Sequence, residues 1–143
     1  MRAFVLSHFS ALWWFLSHRD PRVDSNAPNL VIPKSADAPD VLLAEQLRWS
    51  IGLDGPLDFL VLGDGAFRRS ASVRPHGCTQ DLPSGSLIPI ACHARDAELF
   101  VCSPELAFLQ ICQIADTTEA IYFGMCACSE FRFDPLVQGG VVY

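Results

Sequence analysis

Residues 98 to 109 read Glu98-Leu99-Phe100-Val101-Cys102-Ser103-Pro104-Glu105-Leu106-Ala107-Phe108-Leu109, and one change of pattern inside them sets the fold class. Glu98 to Cys102 is a short apolar run of strand type. Ser103 is a preferred N-cap, Pro104 suits the first helical position because its missing N–H is not needed there, and Glu105 faces the positive end of the helix dipole. The pattern predicts a helix from Pro104 to about Ala115, with Phe108, Ile111, Cys112 and Ala115 on one apolar face and Leu106 and Leu109 on another. Such a helix belongs in the centre of a core.

Working outward, Leu57 to Leu62 is a strand bounded by Gly55-Pro56 and Gly63-Asp64-Gly65, Ala71 to His76 and Leu87 to Ala91 are further short strands, and residues 57 to 102 hold the sheet. Asp40 opens a helix to about Ser50 with Val41, Leu43, Leu47 and Ile51 as its apolar positions and Gly52 as its stop. Ser7 opens another, with Phe9, Leu12, Trp13 and Leu16 in one stripe and Trp14 and Phe15 outside it. Thr117 and Thr118 cap a last helix reaching Gly124 or Cys126. Residues 18 to 40, with four prolines, form an irregular crossing that contains one short strand, Leu30 to Ile32. The expectation is an α+β fold, a small mixed or antiparallel sheet packed against three to four helices. Residues 1–130 make a single regulatory-type domain and 131–143 an irregular tail, the truncated start of a further domain.

The chain has 143 residues, half of them hydrophobic and 18% charged, enough to bury one core and too apolar for intrinsic disorder. Its mean hydropathy of +0.26 is high for a protein this small and points to an apolar surface that a partner covers. Trp13, Trp14 and Phe15 on the first helix are the candidate interface. The apolar stretch from Ala3 to Leu16 has no small-x-small cleavage site and is shorter than the roughly twenty residues a membrane helix needs. It reads as a buried helix, so no membrane association is expected.

Ten basic against sixteen acidic residues give a net charge of −6, which argues against a general nucleic-acid binder. Arg68, Arg69, Arg74 and His76 nevertheless form a basic island, the candidate contact for DNA or an acidic partner. Six cysteines sit largely in apolar runs and read as free thiols of a reducing cytoplasm. His76-x-Cys78, Cys92-His93 and Cys126-x-Cys128 lack the two- to four-residue spacing of structural zinc ligands, so no metal is expected. Gly63-x-Gly65 continues into Ala66-Phe67-Arg68, without the third Gly or the Lys-Ser/Thr of a phosphate loop, and reads as a hairpin turn. Asp58 and Asp64 flank a strand end as solvated carboxylates. No nucleophile elbow is present, and neither catalytic residue, cofactor nor small-molecule substrate is expected.

Two segments carry a resemblance. Ser7-His8-Phe9-Ser10-Ala11-Leu12 is similar to the S-H-x-S-A-L opening, and Ser103-Pro104-Glu105-Leu106 to the S-P-E helix start, of proteins related to the AbiEi-type antitoxins of type IV toxin–antitoxin systems. Ser7, His8, Ser103, Pro104 and Glu105 are the motif residues. The resemblance implies a non-enzymatic, cytoplasmic regulatory domain of a bacterial protein that binds a toxin-like partner or a missing domain, with transcriptional regulation through DNA as a further role. The alternative it implies is a truncated relative of proteins that carry a Vsr-like endonuclease domain, lacking that catalytic part.

Overall fold

The computed structural model describes residues 2–17, 32–91, 94–128, 132–133 and 141–142, with side chains as far as residue 126. Its elements in chain order are β1 (Arg2–Leu6), α1 (His8–Ser17), α2 (Val41–Ile51), β2 (Leu57–Leu62), β3 (Val73–Cys78), β4 (Leu87–Ile90), β5 (Ala97–Cys102), α3 (Pro104–Ile114), α4 (Thr117–Cys128), β6 (Arg132–Phe133) and β7 (Val141–Val142). The expected α+β class is what the chain adopts. β6 and β7 pair with each other, apart from the main sheet.

The main sheet has the order β3-β2-β1-β5-β4. β1 lies at its centre, antiparallel to β2 and parallel to β5. A centre strand was not expected from the sequence, where the apolar stretch from Ala3 to Leu16 read as a buried helix opened by Ser7. The chain uses Arg2 to Leu6 as strand, and the helix starts after Ser7 as expected. Four consecutive buried residues in β1 and six in β2 mean that both faces of the sheet are covered, the pattern of inner strands in α/β-type layers. α1 packs on α3, β2 and β5, α3 packs on β5, and α4 packs on α3 and α1. α2 contributes Ala44, Leu47 and Ile51 to the core. Each large apolar side chain fully buried here, Phe4, Phe59, Leu6 and Leu57 among them, adds on the order of 1.5–3 kcal/mol of transfer free energy.

Asp40 caps α2 by accepting from Leu43 N at 2.9 Å, and Gly52 ends it at φ 70, as the sequence led one to expect. Ser72 Oγ donates to Glu45 Oε1 at 2.8 Å, which ties α2 to the start of β3. The Gly63-Asp64-Gly65 turn is not a hairpin turn, because β2 and β3 run parallel and residues 63–72 cross from the end of one to the start of the other. A local turn signal bends the chain without specifying the direction of the next strand. The glycines answer a different need: a Cβ on Gly65 would lie 1.9 Å from the Ala36 carbonyl oxygen, where the 36–38 segment bridges Leu62.

Two helical faces also differ from expectation. The buried stripe of α1 is His8, Ala11, Leu12 and Phe15, one position round from the expected one, and it leaves Trp13 outside. α3 buries Ala107, Gln110 and Ile111 while Leu109 and Ile114 are exposed, so it covers the sheet rather than sitting inside the core. The expected strand at Leu30 to Ile32 falls mainly outside the described residues.

Candidate functional site

Leu57-Asp58-Phe59-Leu60-Val61-Leu62 is an apolar strand with one carboxylate in it. Asp58 is not the solvated residue its place near a strand end led us to expect, being only 1% exposed. A lone carboxylate at such a depth would be costly and must be compensated. Register sets Asp58 beside Arg74 and Leu60 beside His76 on β3, and alternation places Arg74 and His76 on one face. Arg74 clasps the carboxylate side-on, Nε to Oδ1 at 3.0 Å and Nη2 to Oδ2 at 3.2 Å. His76 Nε2 lies 2.9 Å from Oδ1. Ser10 Oγ donates to Oδ2 at 3.3 Å and at the same time accepts from Asp58 N at 2.8 Å.

The remaining walls come from the ends of β1 and β5, which run parallel and each lead directly into a helix at the same edge of the sheet. Ser7 and His8 form the β1–α1 junction. His8 is fixed in the left-handed region at φ 51, a conformation that costs an L-residue roughly 1–2 kcal/mol. Its backbone N–H donates to Gln110 Oε1 on α3 at 3.0 Å, and its ring stacks on His76 with centroids 3.7 Å apart and planes at 20°. Ser7 Oγ lies 2.8 Å from His8 Nδ1.

One arrangement of protons gives each hydroxyl and imidazole N–H in this cluster an acceptor or an outlet. Ser7 is fully buried, and His8 Nδ1 is the partner of its hydroxyl. With the hydroxyl donating, Nδ1 accepts and the neutral His8 ring carries its proton on Nε2. An ionised carboxylate only accepts, so His76 Nε2 carries a proton and its Nδ1 is the open nitrogen. Desolvation by burial, then the neighbouring His76, lower His8 from 6.5 to about 4 despite the opposing pull of Asp58. On α3, Gln110 Nε2 donates to Cys102 Sγ at 3.6 Å, and burial pushes that thiol up to about 12. Cys102 is thus an inert core thiol.

The sequence-derived candidates scatter. Arg74 and His76 belong to this cluster, where Arg74 is neutralised by Asp58. Arg68 and Arg69 are exposed on the 63–72 crossing, apart from it, so the basic island is split. Ser7 and His8 line the cluster. Ser103 caps α3 by accepting from Leu106 N at 3.2 Å, with Pro104 and Glu105 in its first turn. Trp13 is 45% exposed and meets Phe123 edge-on, and Trp14 is half-buried with its edge to Phe15. Phe15 itself is core and is removed from the candidate interface, because the buried stripe of α1 runs through it. Asp58, Ser10 and Gln110 were missed. For Asp58 the signal was present: an acid between Leu57 and Phe59 inside a strand must have a buried partner.

Among the described residues no group of three or more His, Cys, Asp and Glu side chains is arranged to hold a metal ion. Cys78, Cys102, Cys112 and Cys126 are unpaired thiols, while Cys92, His93 and Cys128 lie outside the described side chains. No described helix is long and apolar enough to cross a membrane.

A second surface lies on the helices. Leu109 and Ile114 of α3 and Ile121, Tyr122 and Met125 of α4 are all more than half exposed. Between the two helices runs a shallow groove of about 550 Å³ lined by Phe108, Cys112, Ala120, Ile121, Gly124 and Met125 among others. Phe9 and Trp13 meet Phe123 at its α1 side.

No family model, no curated protein and no solved structure matches the chain.

Proposed function

We propose that the chain is a non-enzymatic regulatory interaction domain, of the kind the AbiEi-type resemblance implies, that binds a partner protein through the outer face of α3 and α4. One observation carries the reading: five large apolar side chains, Leu109, Ile114, Ile121, Tyr122 and Met125, stand exposed on two adjacent helices beside an apolar groove. Contiguous exposed apolar surface of this sort marks binding sites, because leaving it in water is unfavourable. The high mean hydropathy agrees with such a surface, and Trp13 is exposed as well. A cytoplasmic setting suits the unpaired thiols.

DNA contact has less support. Arg74 is spent on Asp58, and Arg68 with Arg69 offers only two charges for phosphate neutralisation, which gives weak and strongly salt-dependent binding. The test is affinity capture from the native host with the unaltered chain, with Ile121→Glu/Met125→Glu, and with Arg68→Ala/Arg69→Ala. The expected result is a protein partner held by the unaltered chain and the arginine variant and lost from the glutamate variant, all three unfolding at similar temperature. Equal capture by the glutamate variant would overturn the reading.

A further inference from the structure

Charge of one sign frames the α3–α4 face. Between Ser103 and Cys128 the chain carries Glu105, Asp116 and Glu119 and no Lys, Arg or His. α1, which meets the face at Phe123, adds no Lys or Arg. The three acidic residues are exposed, and among the described residues none of them is ion-paired. Arg2, Arg48 and Arg74, by contrast, pair with Asp37, Glu45 and Asp58 on other elements.

Helix geometry sets where these carboxylates stand. Glu105 precedes Phe108 and Leu109 by one turn and Asp116 follows Cys112 by one turn, so the groove stripe of α3 has an acid at each end. Asp116 itself lines the groove, and its Oδ1 accepts from Glu119 N at 2.8 Å to start α4. Glu119 comes one turn before Tyr122. Tyr122 and Trp13 both meet Phe123 nearly edge-on and are about half exposed, so aromatic rings that attract cations lie on the same side.

Charge and shape together select an occupant. A nucleic acid or an anionic lipid surface would meet three unpaired charges of its own sign. A second copy placed face to face would bring two such sets together without a cation between them. An extended peptide gains its affinity at an open sheet edge, whereas this groove lies between helices, the setting in which an amphipathic helix docks. The eleven residues of α3 make the face about 16 Å long, room for roughly three helical turns. Met125, 70% exposed, is the adaptable kind of side chain that lines such grooves.

Given the docking role proposed for this face, we infer that the α3–α4 groove takes a basic amphipathic helix of a partner protein. Its apolar stripe lies against Phe108, Ile121 and Met125, and flanking Lys or Arg residues reach Glu105, Asp116 and Glu119.

Fluorescence anisotropy with two labelled synthetic peptides of about sixteen residues, long enough to form a helix on docking, provides the test. One has Leu at i, i+3, i+4 and i+7 with Lys elsewhere; the other has Glu in place of Lys. The Lys peptide is expected to bind at least tenfold tighter than the Glu peptide. Glu105→Gln/Asp116→Asn/Glu119→Gln, in which Asn keeps the α4 cap, is expected to weaken the Lys peptide about tenfold, as three exposed charge pairs lost together would. Asp54→Asn/Asp64→Asn/Asp81→Asn removes as many exposed charges elsewhere and is expected to change affinity less than twofold. Ile121→Gln/Met125→Gln is expected to weaken the Lys peptide about tenfold. Should the first triple variant fail to fold, Glu105→Gln/Glu119→Gln replaces it and is expected to weaken binding about fivefold. No binding of the Lys peptide, equal binding of the Glu peptide, or equal losses from the two triple variants would overturn the inference. A micromolar dimer of the chain alone, dispersed by Ile121→Gln/Met125→Gln in sedimentation, would assign the groove to a second copy and overturn it too. In host capture, a partner kept by the Glu105/Asp116/Glu119 variant but lost from Ile121→Glu/Met125→Glu would overturn the basic helix and leave the docking face standing; a partner kept by both would overturn both.

Discussion

The chain makes the same junction twice and solves it in two ways. β1 passes through Ser7 into α1, and β5 passes through Ser103 into α3; in each, the serine carbonyl accepts the first helical hydrogen bond, from Ala11 at 3.0 Å and from Ala107 at 2.8 Å. At α3 two further needs are met locally. The Ser103 hydroxyl takes the Leu106 N–H, and Pro104 has no N–H to satisfy. At α1 the same needs are met by other parts of the fold. The Ser10 N–H turns to Asp58 Oδ2 at 3.4 Å, the His8 N–H goes to Gln110, and the Ser7 hydroxyl is given to the His8 ring. A self-contained cap leaves nothing over, whereas the borrowed one collects a carboxylate, two imidazoles and a guanidinium in one place.

Removing the borrowed cap tests the contrast most severely. Asp58→Ala takes the counter-charge from Arg74 and His76 and the acceptor from Ser10 together, and is expected to lower unfolding free energy by about 3 kcal/mol in urea titration, as for other disrupted buried ion pairs. A loss no larger than that of Ser103→Ala would erase the distinction between the junctions.

Acidification follows. His8 is held neutral in the fold, lowered from 6.5 to about 4, so below pH 6.5 the unfolded chain binds a proton that the folded chain does not. Stability is therefore present in full above the ordinary histidine value and is lost as pH falls toward 4, by up to about 3 kcal/mol. His8→Asn is expected to flatten that slope in parallel urea titrations, and an unchanged slope would exclude His8 as its source.

Smaller again is Ser103→Ala, expected to cost about 1 kcal/mol as an ordinary N-cap loss. Ser7→Ala is expected to change stability least, by about 0.5–1 kcal/mol, the worth of one hydrogen bond, because Asp58 rather than Ser7 caps α1. Its signature is spectroscopic: without the Ser7 donor, the proton distribution between His8 Nδ1 and Nε2 shifts, as nitrogen chemical shifts would show.

The same contrast explains how much was legible in the sequence. α3, α2 and β2 were readable almost to the residue, because Ser103-Pro104-Glu105, Asp40 with Gly52, and the run from Leu57 carry their own start and stop signals. β1 was not, since Ala3 to Leu6 is a short apolar run with no start signal or alternation of its own before the Ser7 cap, and only its partners β2 and β5 make it a strand. Parallel pairing of β2 with β3 was hidden for the same reason. Of the candidate site, the sequence offered Arg74 and His76 within one basic island and Ser7 and His8 as motif residues. Their meeting at Asp58 depends on a register that no local pattern records, and the orphan carboxylate was the clue.

The place of β1 has a consequence for how the chain is assembled. The strand at the middle of the sheet is the earliest in sequence, yet it pairs Arg2 with Ala97 and Leu6 with Val101. During synthesis Phe4, Val5 and Leu6 emerge long before β5 can pair with them. A sheet closed by such distant pairings folds late and comparatively slowly, and until then the nascent chain carries an apolar strand whose β5 edge is unpaired, next to an aromatic helix start. Exposed apolar surface and an open strand edge of this kind make the incompletely synthesised chain aggregation-prone.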